Sequence, residues 1–375
     1  MKLLIQPEAG ADPLIKEIEG ARKSIEIAIF RLDHEEIERA LERAVDRGVS
    51  VHALIANTNH GHEKNLRNLE MELLPAGVEV SRTADDLLRH HYKFMIVDRR
   101  VLYVLTFNYT HLDMEHSRSF GLVIDDPETI DEVARLFHAD VRRQPFKPGL
   151  KHVVVSPENA REQLSRFIKG AEKQLLIYDP EVSDRAMIRL LQDRARAGVE
   201  IRLIGRVIKP SEEFDPGRLM RMRFHTRTIV RDRSEAFLGS QSLREAELDK
   251  RRELGMIVRD RELVHSLLKV FESDWAGLEP VREGAGQDAE GNTKALKKVV
   301  KVIVRELPMA PIVQDALKRA VGELPKAELH RKFELRRNEL RHNLTEVLKD
   351  AVEGAVAGMV REERRRKRET GVSQQ

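Results

Sequence analysis

The strongest constraint on this chain is that it contains two copies of one unit. Gly20-Ala21 matches Gly170-Ala171, and Asp46-Arg47-Gly48-Val49 matches Arg196-Ala197-Gly198-Val199, both at an offset of 150. Downstream the offset falls to 134: His91 maps to His225, Asp98 to Asp232, Phe120-Gly121 to Leu254-Gly255, and Phe137/Asp140 to Phe271/Asp274. The first copy therefore holds about 16 residues between 56 and 90 that the second lacks. A repeat of this length is a whole domain, not a solenoid unit. Each copy ends its matched stretch on a histidine and a cation two residues apart, His91/Lys93 and His225/Arg227, followed by an aspartate. On a strand, alternate residues share a face. Two such faces set together would surround one phosphate-sized space with two imidazoles and two cations.

Within each copy the pattern alternates. KSIEIAIF (23–30) and KQLLIYD (173–179) are apolar runs of strand length. EEIERALERAVDRG (35–48) and DRAMIRLLQDRARAG (184–198) carry apolar residues at helical spacing, and Gly48 and Gly198 fit helix C-caps. VSVHALI and VEIRLIG follow as strands. Alternating segments of this kind predict layered α/β lobes with buried sheets. The extra stretch of the first copy, KNLRNLEMELLPAG (64–77), reads as an added helix covering one side of the shared cleft.

The expected organisation is a first lobe over 1–148, a second over 149–280, a polar linker over 281–292 and a basic helical extension over 293–375. That extension holds 20 Lys and Arg against 12 Asp and Glu, a balance of +8, which leaves −5 for residues 1–292 of the chain's +3. Its terminal REERRRKR (361–368) reads first as a solvated helix end, with attraction to anionic lipid or nucleic acid as the alternative. The absence of cysteine excludes disulfides and thiolate chemistry. No run approaches the ~18 apolar residues of a membrane span, and the N-terminal segment is too short in apolar residues for a signal peptide. The reading is a cytoplasmic protein, with peripheral membrane contact through the tail as an option.

HYKFMIVD (91–98), HTRTIVRD (225–232), GSQS (239–242), RRELG (251–255) and FESDW (271–275) together resemble the phospholipase D superfamily of phosphodiesterases over about residues 1–280. GSQSLREAELDKRRELG resembles bacterial cardiolipin-synthase-like and other phospholipase D-like members. The resemblance implies two phospholipase D-like α-β-α lobes in pseudo-twofold arrangement with one composite, metal-independent site and no cofactor. One histidine would attack phosphorus, and the other would protonate the leaving alcohol and then activate water or an acceptor alcohol.

The residue types suit that chemistry. Neutral imidazole is a nucleophile near pH 7, and its conjugate acid is a competent proton donor. Lys93 and Arg227 can stabilise charge on the non-bridging oxygens. Glu253 lies where the family places an acid behind a histidine; Ser119 takes that place in the first copy. The expectation is therefore that Glu253 backs His225 while His91 lacks an acid, favouring His225 as nucleophile, with the reverse assignment open. Supporting positions are Asp98, Asn108, Asp232, Ser240 and Ser242, the two aspartates closing turns after their motif strands. Arg227 replaces a second lysine, and Leu105 replaces the glycine of a Gly-Ser-x-Asn motif that Gly239-Ser240 keeps.

Other features have plainer readings. His60-Gly61-His62-Glu63 lacks a third ligand at a recognisable spacing and reads as a loop pair rather than a metal site. His90 faces away from its neighbour His91, and Phe137/Asp140 and Phe271/Asp274 read as packing and capping residues. Three functions fit: a phosphodiesterase or phosphatidyltransferase acting on phospholipid headgroups, a nuclease using the same chemistry, or a catalytically impaired binding relative. The negative body and 5% aromatic content count against an extended nucleic-acid surface. No obligate protein partner is implied, since both half-sites lie in one chain.

Overall fold

The computed structural model describes residues 1–57, 63–208, 217–220, 222–276 and 278. Contacts divide the chain after residue 282. The expectations for 281–375, and the pair His60 and His62, lie outside the described residues.

The first copy runs β1 (Lys2–Gln6), α1 (Asp12–Gly20), β2 (Ser24–Ile29), α2 (Glu35–Asp46), β3 (Ser50–Ile55), α3 (Glu63–Leu73), β4 (Glu79–Arg82), β5 (Arg89–His90), β6 (Phe94–Val97), β7 (Val101–Leu105), α4 (His111–Glu115), β8 (Ser117–Ile124) and α5 (Pro127–Val141). The second repeats the plan as β9 (Val153–Ser156), α6 (Ala160–Lys169), β10 (Gln174–Val182), α7 (Arg185–Arg196), β11 (Glu200–Val207), β12 (Arg223–Phe224), β13 (Arg227–Arg231), β14 (Glu235–Gly239), α8 (Glu245–Asp249), β15 (Arg251–Val258) and α9 (Arg261–Trp275). Gly48 and Gly198 end α2 and α7 at φ +85° and +89°, the left-handed conformation that favours glycine. Among the described residues no helix is long and apolar enough to cross a membrane.

The sheets run β1-β8-β7-β6-β2-β3-β4 and β9-β15-β14-β13-β10-β11, each mixed parallel and antiparallel. Strand alternation gives each two apolar faces. Ile25, Ile27 and Ile29 of β2 pack outward with α1 and α2, while Ala28 points inward; in β10, Leu175 and Ile177 point outward and Leu176 and Tyr178 inward. The inward faces and helices α5 and α9 share one central core containing Phe120, Phe137, Tyr178 and Phe271. Each such side chain contributes on the order of 1.5–3 kcal/mol by leaving water. The result is two similar α/β lobes fused through one core. Helix α3 buries Leu66, Leu69 and Leu73 in the first lobe's outer core. Those leucines serve the lobe's own packing, a place different from the cleft cover expected of this segment, because its apolar stripe meets the apolar outer face of the sheet.

Each sheet also receives a two-residue strand from the other lobe. β5, just before His91, pairs in parallel with Arg251 and Arg252 of β15; β12, just before His225, pairs in parallel with Ser117 and Arg118 of β8. The exchange ends on matching backbone bonds, His91 N–H to Arg252 O at 2.8 Å and His225 N–H to Arg118 O at 2.9 Å. The same two arginines carry buried ion pairs across the lobes. Arg252 pairs with Asp140 at 3.1 Å and Arg118 with Asp274 at 2.9 Å. Tyr92 and Tyr178 donate to those aspartates, each at 2.7 Å. Asp140 and Asp274 are thus inter-lobe ion-pair partners, correcting the expectation that they cap helices.

Removing one member of such a pair leaves a buried charge alone. Arg252→Met is expected to lower unfolding free energy by about 3–5 kcal/mol in urea titrations. Adding Asp140→Leu should recover much of that loss, and equal losses in the single and double variants would refute the account.

Candidate active site

The lobe exchange determines which carboxylate meets which histidine. His91 Nδ1 lies 3.0 Å from Glu253 Oε2 and His225 Nδ1 lies 2.7 Å from Asp113 Oδ2, so each imidazole is backed by an acid from the other lobe. This overturns the expectation that Glu253 supports His225 and that His91 has no acid. Glu253 follows Arg252, whose carbonyl anchors His91; the strand that delivers the histidine delivers it to the opposite lobe's acid. The two imidazole centres are 6.4 Å apart.

Asp113 was not singled out in the sequence, although the duplication held a signal for it: at the 134 offset it aligns with Glu247, an acid in both copies. The structure repeats the likeness. Asp113 accepts the Asn108 N–H at 2.8 Å, and Glu247 accepts the equivalent Ser242 N–H at 2.7 Å. They diverge beyond that. Asp113 reaches His225, whereas Glu247 faces Arg251 at 3.0 Å and Arg227 at 4.0 Å.

The cations also differ. Lys93 is buried, with Nζ 2.9 Å from His91 Nε2. Arg227 donates through Nε to Ser242 Oγ at 3.1 Å, and its buried Nη1 has no hydrogen-bond partner among the described residues. Phe30, unremarked in the sequence, walls the site, with its ring edge-on to His91 at 4.6 Å and under Lys93 Nζ at 5.4 Å.

The remaining sequence candidates hold the frame. Asp98 accepts the N–H groups of Arg22, Lys23 and Ser24, and Asp232 those of Glu172, Lys173 and Gln174, at the ends of β6 and β13 remote from the histidines. Asn108 donates its amide to Asp113 at 2.7 Å. Ser240 bonds the Leu254 backbone, joining β14 to β15, and its hydroxyl also acts on Glu253. Leu105, which replaces the motif glycine, buries its side chain in the first lobe's outer core beside Gly121 and stands opposite Lys93, to whose carbonyl it donates its N–H at 2.9 Å, as Gly239 stands opposite Arg227.

Burial dominates the electrostatics. It holds His91 well below the usual histidine range, with Lys93 and Arg227 pushing the same way. Burial pushes His225 down to about 4 although Asp113 opposes it. Burial also lowers Lys93 to about 7 and raises Glu253. Asp113 is held well below the carboxylate range, because His225 and Arg223 outweigh its own burial. In the unliganded site both imidazoles are neutral, and a dianionic or monoanionic phosphoryl group between them would raise their proton affinity.

His90, behind the site, is also lowered by burial to about 4 and stacks edge-on with Tyr92. A histidine whose folded pKa lies below its unfolded value contributes stability above about pH 6.5, lost as pH falls through about 4. His90→Phe removes that term. The stability difference between variant and wild type should therefore move in the variant's favour by roughly 3 kcal/mol between pH 7.5 and 4. A pH-independent difference in denaturation would contradict the assignment.

A family model described as cardiolipin synthase, PLD-like domain, matches residues 14–141 and 164–275, more than half of the chain. The chain belongs to the phospholipase D-like family. Human mitochondrial cardiolipin hydrolase is 27% identical over 174 residues, 46% of this chain and 65% of the human protein, so the chain spans less than two thirds of that relative. Two solved structures share the fold. Polyphosphate kinase from Porphyromonas gingivalis has a TM-score of 0.61 at 19% identity, covering 78% of this chain and 55% of that one. Phosphatidylserine synthase from Haemophilus influenzae has a TM-score of 0.60 at 13% identity, covering 80% and 93%.

Proposed function

We propose that the protein is a metal-independent phosphodiesterase or phosphatidyltransferase of phospholipid headgroups, working through a phosphohistidine. The observation that carries this reading is the pair of facing imidazoles, each oriented through Nδ1 by a buried carboxylate of the opposite lobe, with two cations beside them. A carboxylate on Nδ1 leaves Nε2 as the reacting nitrogen and stabilises the imidazolium when it forms.

The two environments divide the labour. His91, held neutral by burial and flanked by Lys93, is the nucleophile; His225, beside the ionised Asp113, is the proton carrier. This reverses the assignment favoured on sequence grounds, because the acid thought to back His225 backs His91 instead. His225 takes up a proton at Nε2 from solvent when the anionic diester binds; His91 Nε2 then forms a bond to phosphorus as the bond to the leaving alcohol oxygen breaks, and His225 gives that oxygen its proton. Neutral His225 then takes a proton from water or an acceptor alcohol, whose oxygen displaces His91. Lys93, released from His91 Nε2, and Arg227 neutralise the non-bridging oxygens.

The lipid reading rests on the cardiolipin-synthase-like motif, on relatives named for cardiolipin and phosphatidylserine chemistry, and on a body of charge −5 that offers little to nucleic acid. The +8 segment 293–375 supplies attraction to an anionic bilayer. Purified protein in EDTA should release headgroups from vesicles containing cardiolipin or phosphatidylglycerol faster than it degrades single-stranded or plasmid DNA, or converts polyphosphate with a nucleotide. Preferential DNA cleavage, or turnover confined to the polyphosphate arm, would replace the lipid reading.

A further inference from the structure

A second cluster of chemistry-bearing side chains lies on the other side of α4 from Asp113. His34, the residue before α2, stacks on His111 with ring centres 4.1 Å apart, and Glu115 closes the group from the end of α4. Glu115 Oε1 is 3.5 Å from His34 Nε2 and 3.2 Å from His111 Nδ1, and one ligand atom from each residue lies within 4.8 Å of the others. Neither the duplication nor the two-histidine chemistry accounts for this group.

Its counterpart in the second lobe shows what the place is built to hold. At the same offsets His34 corresponds to Asp184, Glu115 to Asp249 and His111 to Glu245. There a cation joins the start of α7 to the end of α8: Arg161 donates to Asp184 at 2.7 Å and to Asp249 at 2.8 Å. The residue equivalent to Arg161 in the first lobe is Ala11, which has no charge to give. The two aspartates that the guanidinium bridged are replaced by an imidazole and a glutamate, with a second imidazole beside them. The cation has gone, and nitrogen ligands have appeared.

We propose that His34, His111 and Glu115 bind a divalent transition-metal ion, zinc being the best chemical fit, which ties α4 to the start of α2 as Arg161 ties α8 to α7. Two imidazoles and one carboxylate form a frequent zinc ligand set, leaving a fourth position for water. Tetrahedral bonds of about 2.0–2.1 Å put ligand atoms about 3.3 Å apart, close to both measured separations from Glu115. His111 and Glu115 at i and i+4 present their ligand atoms on one side of the helix. His34 is 5% exposed and its Nδ1 has no hydrogen-bond partner among the described residues. It also makes no side-chain bond to its own helix, unlike Asp184, so its imidazole is not committed to capping. The ion takes no part in phosphoryl transfer; its effect reaches the site through the position of Asp113 on the same short helix.

The test uses the full chain without an affinity tag, stripped with chelator and dialysed. Elemental analysis after equilibration with zinc should find one ion per chain, cobalt should give the visible absorption of a tetrahedral site, and zinc should raise the melting temperature. His111→Ala, at a half-exposed position where folding is not at stake, and Glu115→Gln should weaken binding by at least the roughly 10–100-fold that loss of even an outer-shell partner costs. His91→Ala should bind zinc as the wild type does, so failure of the proposed diester chemistry and failure of this site are separate results. No stoichiometric ion in the wild type, or binding unaltered by His111→Ala and Glu115→Gln, would overturn the proposal.

Discussion

Substituting either histidine by alanine is expected to lower cleavage of bis(p-nitrophenyl) phosphate in EDTA by at least about 10⁴-fold, because the two imidazoles act as one unit. The variants should nevertheless differ in the first turnover. p-Nitrophenolate leaves readily without a proton, so His225→Ala should give a stoichiometric burst and an acid-labile phosphoryl adduct on His91. His91→Ala should give neither. A burst in His91→Ala with the adduct on His225 would exchange the two roles; undiminished turnover in both variants, or a requirement for added metal, would remove the two-histidine mechanism altogether.

The second large effect falls on a residue whose importance only the folded chain reveals. Asp113→Asn keeps the size of the side chain but replaces the carboxylate that receives His225 Nδ1–H at 2.7 Å. An asparagine can present its amide there and select the wrong imidazole tautomer, and it cannot stabilise the imidazolium. Losses of about 10²–10⁴ in kcat are expected, with circular dichroism and urea midpoint confirming a folded protein. Glu247→Gln, at the equivalent place in the second lobe, touches no histidine and should cost far less. Similar losses from the two substitutions would mean that both acids serve the fold and neither serves His225.

The contrast between Asp113 and Glu253 marks how far a linear reading reaches. His91, Lys93, His225 and Arg227 are legible because two copies of one short pattern are improbable by chance, and strand alternation predicts that each histidine and its cation share a face. The lobes themselves are legible for the same reason, since alternating helical and strand periodicity appears twice. The acid partners are not. Glu253 and Ser119 occupy equivalent positions, and assigning each to the histidine of its own copy is the simplest reading of a repeat. β5 and β12 cross over, however, and each pairs with the other lobe's sheet.

Leu105 makes a similar point. As a letter it marks the loss of a motif glycine; in the fold its side chain packs in the outer core beside Gly121, on the strand position opposite Lys93. Sheet register decides which residue stands opposite Leu105, and neighbouring residues alone do not report it.

By itself, the sequence determined that this chain folds as a duplicated α/β unit and singled out two histidine–cation pairs as its candidate site, because periodicity and repetition can be read from the residues alone. The tertiary structure decided which carboxylate serves which histidine, that Asp113 belongs to the site at all, and that Arg118 and Arg252 tie the lobes together. Those pairings join residues more than a hundred positions apart through exchanged strands and a shared core, and contacts of that range leave no period to read.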